Sequence, residues 1–171
     1  MRLEGNETIS TDRESLFEVM IDAEVLKRCI PGCELLEQQA DGSYKMSLKA
    51  GVGSIRGVFT GTIRLEEIRA PEHYKMIVEG KGTSGFVKGI GEIDLAVSGE
   101  QTIVTYAGDV NVGGTIASVG QRVIQTTAKI MTSQFFTAIG AEAKARAENS
   151  PPPKQGVVRN ALRSISDKFQ K

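Results

Sequence analysis

YKMIVEGKGTSGFVKGIGEIDLAV, residues 74–97, admits two incompatible readings, and the choice between them decides the fold. Gly80 to Gly85 spell G-x-G-x-x-G, the letters of a dinucleotide-binding loop. That mechanism needs a strand before the glycines and a helix after them, so that a helix N-terminus meets the pyrophosphate. The residues after Gly85 are not helical. Val87, Ile93, Leu95 and Val97 alternate with Lys88, Glu92 and Asp94, and Tyr74, Met76 and Val78 keep the same period upstream. A period of two marks a strand with one buried face, so the stretch belongs to a sheet and not to a nucleotide site.

The same period extends outward from Glu34 to Val112. Tyr44, Met46 and Leu48 form one apolar set, Ile55, Phe59, Ile63 and Leu65 a second, and Val104, Tyr106, Val110 and Val112 a third. Turn signals at Asp41-Gly42, Ala70-Pro71-Glu72 and Gly99-Glu100 separate them, which gives an antiparallel meander with one core face. The chain holds 19 glycines, well above the usual share of about 7% and without a collagen-like period. On these registers Gly57, Gly61, Gly80, Gly82, Gly89, Gly91 and Gly108 all point to the inner face. Glycine there either lets the strands bend or leaves volume on the concave side, and the two accounts are compatible. Close packing of a helix on the sheet, with no cavity, is the competing reading.

Arg2 to Ser10 reads as a further strand. Thr11 to Glu14 supplies capping residues for SLFEVMIDAEVLKRC, where Leu16, Phe17, Met20 and Ile21, then Val25 and Leu26, recur at helical intervals. Asp22-Ala23 divides this segment into two short helices and Pro31-Gly32 stops the second. After Gly113-Gly114 comes TIASVGQRVIQTTAKIMTSQFFTAIGAEAKARAE, read as one long helix. Ile116, Val119, Val123 and Ile130 form one apolar row, and Ile124, Met131, Phe135 and Ile139 a second. Together they suit a helix lying across a concave sheet. Ala141 to Ala147 is alanine-rich and charged, so that end is expected to be exposed. The fold class is α+β: a curved antiparallel sheet wrapped around a long C-terminal helix, with two short helices after the first strand, in a domain spanning 1–148.

Asn149-Ser150-Pro151-Pro152-Pro153 then opens a stiff linker, 149–155. In the tail, 156–171, Val158, Leu162, Ile165 and Phe169 fall in a single helical row flanked by Arg159, Arg163 and Lys168, the pattern of a basic amphipathic helix that settles on a membrane surface. Each basic side chain near an anionic leaflet contributes about 1 kcal/mol. A tail that folds back, stays disordered or docks on a protein remains an open alternative. The chain has 21 basic and 21 acidic residues, but 5 of the basic ones and only 1 acid lie beyond Pro153. The body is therefore mildly acidic, which argues against nucleic acid as a partner.

The N-terminus lacks the apolar run of a secretory signal, and no stretch approaches the roughly 18 apolar residues of a membrane span. The expected location is cytoplasmic. Cys29 and Cys33, in CIPGC, have neither the C-x-x-C redox spacing nor enough histidines nearby for a zinc site, and are read as reduced, mostly buried thiols. No metal or catalytic residue is assigned. His73, the chain's single histidine, is expected to be an exposed imidazole beside the Pro71 turn. Strand parity would turn Glu7 inward, where it could anchor a polar head group, but a local irregularity that exposes it is the favoured reading.

IPGCELLEQ (30–38), the strand glycines, and GGTIASVGQRVIQTTAKIMTSQFF (113–136) together resemble the CoxG-like family, named for the G subunit of carbon monoxide dehydrogenase, within the START-like (SRPBCC) superfamily. The likeness runs over roughly the first 147 residues. It implies a helix-grip fold with an apolar cavity and service to a CO dehydrogenase-type molybdenum hydroxylase; with one histidine and few inward acids, no catalysis of its own is expected. The expected cavity walls are Phe59, Met76, Val78, Ile93, Val104, Tyr106, Val123, Met131 and Phe135, with Gly57, Gly80, Gly91 and Gly108 making room. The function expected from residues and resemblance together is a carrier of an apolar lipid, an isoprenoid quinone such as menaquinone or ubiquinone, peripheral on the inner face of the cell membrane and with no covalent cofactor. A ligand-free recruitment factor for the same oxidoreductase and a small polyketide cyclase-like enzyme are the alternatives.

Overall fold

Strand alternation and hairpin turns build a single seven-stranded sheet whose spatial order is β1-β7-β6-β5-β4-β3-β2. A computed structural model describes residues 1–148; the linker and the amphipathic tail expected beyond them lie outside the described residues. In chain order the elements are β1 (Arg2–Ile9), α1 (Arg13–Ile21), α2 (Ala23–Cys29), β2 (Cys33–Gln38), β3 (Tyr44–Val52), β4 (Ile55–Arg69), β5 (His73–Gly82), β6 (Gly85–Ser98), β7 (Gln101–Gly113), a short 3-10 helix (Thr115–Val119) and α3 (Gln121–Ala147). Every ladder is antiparallel, and β1 closes the order by pairing with β7. The result is a helix-grip architecture, with α1 and α2 plugging one end of the curved sheet and α3 lying along its concave side.

Local chemistry sets the helix boundaries. Asp12 caps α1 by accepting from the Ser15 N–H at 2.9 Å. Asp22, in an extended conformation, ends α1 and caps α2 by accepting from the Glu24 and Val25 N–H groups; an extended capping residue is what separates the two helices. The long helix begins later than the sequence suggests. Gly120 adopts φ +94, a left-handed conformation that ends the 3-10 helix, and α3 starts at Gln121.

The principal core lies under α1, α2 and the second half of α3. Leu16, Val19, Met20, Val104 and Ile139 are essentially inaccessible there, each contributing about 1.5–3 kcal/mol of burial. This reverses one expectation. Val123 and Ile130, placed on the sheet-facing rows, are 38% and 53% exposed, whereas Ala143, in the segment expected to be exposed, is fully buried. The cause is tertiary: α1 and α2 cover the C-terminal half of α3, whereas its first turns meet only the small cluster of Val52, Phe59 and Ile116 through Ile124. Glu142 is buried in the same place because Arg28 of α2 meets it with two parallel hydrogen bonds of 2.9 Å. Val97 also departs from expectation. It is 59% exposed, close to the β6–β7 turn.

Two polar residues are corrected as well. His73 is not a surface imidazole: it is 5% exposed and its Nδ1 lies 2.8 Å from Asp94 Oδ1, its register partner on β6. No irregularity exposes Glu7. The β1–β7 ladder is regular from Arg2 to Ile9, so parity alone turns Glu7 inward, where it is half-buried.

The thiols are free, with Cys29 buried and Cys33 partly accessible. Burial pushes the Cys29 thiol up to about 12 and also raises that of Cys33. Alkylation with iodoacetamide at pH 8 is expected to label Cys33 slowly and Cys29 only in protein unfolded by denaturant, read by peptide mass mapping. Comparable labelling of both in the folded protein would contradict this packing.

Candidate ligand groove between the sheet and α3

Buried apolar side chains form two clusters, a principal core and a smaller satellite. The large cluster described above is separate from a small one formed by Val52, Phe59 and Ile116 with Ala50, Val112, Val119 and Ile124 packed around them. Met131 of α3 and Val87 and Val110 of the inner sheet face belong to neither cluster and are only half-buried. Met76, Val78, Tyr106 and Phe135 pack against the large cluster while retaining accessible surface. These half-buried apolar side chains, on the concave side of β5 and β7 and on α3, mark the candidate ligand groove.

The inner-face glycines divide by what an added Cβ would meet. At Gly61 it would run into the backbone carbonyl of Glu79, and at Gly108 it would lie 2.7 Å from the Ile90 carbonyl oxygen. Those positions allow adjacent strands to approach while the sheet bends. At Gly80 the nearest atoms are Met46 Cε and Phe59 Cβ, both at 3.8 Å, and at Gly91 the nearest is the Ala107 carbonyl oxygen at 3.4 Å. Those positions leave room. Space above Gly57 is taken by the Ser84 side chain from the β5–β6 turn. Of the expected wall residues, Phe59, Ile93 and Val104 are buried within the packed clusters, Met76, Val78, Tyr106, Met131 and Phe135 are half-buried, and Val123 is exposed near the start of α3.

Two polar groups face into this apolar setting. Tyr106 stacks on Phe136 with ring centroids 5.5 Å apart, and it covers the bare backbone of Gly5, its partner on β1. Its hydroxyl has no hydrogen-bond partner among the described residues. Burial raises its pKa, and the charge of Glu7 raises it further. Glu7, two residues along β1 from Gly5, is itself pushed up by burial. Inward Glu7 escapes a reading that expects carboxylates outside, yet the strict alternation of Leu3, Gly5, Glu7 and Ile9 was the signal for it.

The sign of the Glu7 shift gives a test. A carboxyl whose folded pKa is raised binds its proton more tightly in the folded state, so its contribution is fully present below the unfolded value near 4.5 and is lost as pH rises through the folded pKa. Glu7→Gln is therefore expected to raise Tm slightly at pH 7 and to converge with the parent below pH 4.5. A lower Tm for the variant at pH 7 would contradict an unpaired inward carboxylate.

Two surface concavities lie elsewhere on the described residues. One, of about 670 Å³, runs between the α2–β2 loop and α3, lined by Ile30, Cys33, Ala50 and Ala138 together with the charged Lys27, Arg28, Glu34, Lys49 and Arg56. Ala50 is on the inner face of β3, so this concavity reaches the edge of the sheet–helix space. The other, of about 960 Å³, sits at the α1–α2 corner among Glu18, Asp22, Asp41, Arg64, Glu66 and Arg146. Ile21, Ala23, Tyr44, Leu65 and Ile68 line it as well, so both concavities mix charged with apolar groups.

A curved antiparallel sheet gripping one long helix around an apolar groove defines the START-like helix-grip class. The chain belongs to the CoxG (carbon monoxide dehydrogenase G-subunit) family, whose model matches residues 5–144. A conserved protein from Geobacillus kaustophilus is 34% identical, with a TM-score of 0.81 over 85% of this chain and 97% of that one. A START superfamily protein from Mycobacterium smegmatis, 13% identical, aligns over 84% of this chain and 97% of that chain with a TM-score of 0.61. The Zhui aromatase/cyclase from Streptomyces sp. R1128, 14% identical, covers 86% of this chain and 95% of its own with a TM-score of 0.62. These last two likenesses show the fold alone. No curated protein matches the chain.

Proposed function

We propose that this protein binds and carries an apolar lipid for a CO dehydrogenase-type molybdenum hydroxylase, with an isoprenoid quinone, menaquinone or ubiquinone, as the ligand. The supporting observation is that Met76, Val78, Met131 and Phe135, on the concave side of the sheet and on α3, are only half-buried while the core around them is closed. Each ligand methylene placed there gains about 0.8 kcal/mol over water, while exchange with a bilayer is nearly balanced, so loading and unloading are both feasible. The Tyr106 hydroxyl, without a hydrogen-bond partner among the described residues, supplies a donor for a quinone carbonyl, and the half-buried Glu7 is the carboxyl on the same face of the sheet. The family description supports the partner enzyme. The basic apolar row of Val158, Leu162, Ile165 and Phe169 with Arg159, Arg163 and Lys168 supports peripheral attachment to the inner membrane face. Among the described residues no helix is long and apolar enough to cross a membrane.

Native mass spectrometry with solvent extraction, comparing the full chain with a form ending at Ser150, tests this reading. A stoichiometric quinone, more abundant in the full chain and reduced in Tyr106→Phe, is the expected result. An apo mass in both forms, with no uptake from quinone-loaded liposomes, would leave a ligand-free recruitment factor; quinone-independent turnover of an aromatic substrate would favour the cyclase reading.

A further inference from the structure

On the outer face of the sheet, away from the groove, β4 carries a bulge. Glu66 pairs with Lys75 and Arg69 with His73, so Glu67 and Ile68 together oppose Tyr74 alone. Regular alternation from Ile63 and Leu65 would send Glu67 toward the helices. The bulge instead leaves it exposed, with φ +50. It is the one non-glycine among the described residues with positive φ, at a bulge position that glycine ordinarily fills. The ligand atoms of Glu67, His73 and Glu92, from three successive strands, all lie within 4.8 Å of one another.

His73 sets this apart from a chance group of surface acids. It is 5% exposed, and Asp94 engages Nδ1 at 2.8 Å, which leaves Nε2 as the nitrogen free to ligate, without a hydrogen-bond partner among the described residues. A carboxylate that holds one imidazole nitrogen and presents the other is the recurrent outer support of a metal-bound histidine. From this arrangement we infer that Glu67, His73 and Glu92 form a binding site for a first-row divalent cation such as zinc, with Asp94 orienting the imidazole. Nitrogen and carboxylate oxygen ligands at about 2.0–2.2 Å require the three atoms to draw together by roughly an ångström. Two exposed glutamates can do this by changing rotamer. Three protein ligands leave a coordination position for water or an exogenous ligand. A solvated Glu67 and Glu92 beside a purely structural His73–Asp94 bond would leave the costly backbone of Glu67 without a reason; a metal site supplies one.

The test is zinc titration of the full-length protein, followed by calorimetry, with both cysteines alkylated after denaturation and the protein refolded, or with Cys29→Ser/Cys33→Ser if refolding fails. One equivalent of zinc is expected, bound at least tenfold more weakly by Glu67→Gln and by Glu92→Gln. Long-range ¹H–¹⁵N spectra should show the Nε2 signal of the single histidine moving on zinc addition. Glu67→Gly adds an independent readout: it should raise the metal-free Tm, because glycine accepts positive φ, while weakening zinc binding by at least tenfold. Zinc affinity unchanged in the Glu67→Gln/Glu92→Gln double variant, or a His73 signal that ignores zinc, would overturn the assignment.

Discussion

Gly61→Ala is expected to lower the urea midpoint sharply, by the equivalent of about 3 kcal/mol, while Gly80→Ala, its register partner on β5, stays within about 1 kcal/mol of the parent. The two glycines are adjacent on the same inner face. A methyl group at Gly61 collides with the Glu79 carbonyl, and backbone can yield only by unbending the sheet; at Gly80 it meets Met46 and Phe59 at an ordinary 3.8 Å. Equal destabilisation by the two substitutions would mean that the inner-face glycines all serve one purpose. A neutral Gly61→Ala would mean that the bend there is not required.

The second large effect lies where α2 meets α3. Arg28→Met removes both hydrogen bonds to Glu142 and leaves a carboxylate that is 6% exposed without its counter-charge, at a cost of about 3 kcal/mol. Arg28→Met/Glu142→Leu should recover most of that loss, because burying two apolar side chains in place of a buried ion pair is commonly neutral or stabilising. Chemical denaturation of both single variants and the double variant closes the thermodynamic cycle. Additive losses, with the double variant as unstable as the sum of the singles, would show that the pair contributes no mutual interaction and that Glu142 is stabilised by something else.

The contrast between these sites and the strands explains how far the sequence could be read. Glu142 sits in an alanine-rich, charged stretch, EAKARAE, which by itself describes an exposed helix end. It is buried because Arg28, 114 residues away in sequence, comes to meet it. Likewise nothing near His73 announced its burial. Its imidazole bonds to Asp94 of β6, and a bulge brings the carboxylate of Glu67 within 4.8 Å of one of its ring nitrogens. A bulge is one residue of slippage between two strands, visible only when both are paired.

The strands and their faces, the inward set of glycines, the two short helices and the long C-terminal helix were determined by the sequence alone. Each depends on a local period: two residues in a strand, between three and four in a helix, broken by Gly, Pro or Asp. The parity that places Tyr106, Met76 and Val78 on the concave side was legible for the same reason, and it also carried the inward Glu7. The tertiary structure decided which half of α3 would be covered, whether the two apolar clusters would merge or stay apart, and which glycines bend the sheet rather than make room. Those outcomes turn on how elements distant in the chain meet, and side-chain period records only the direction in which each residue points.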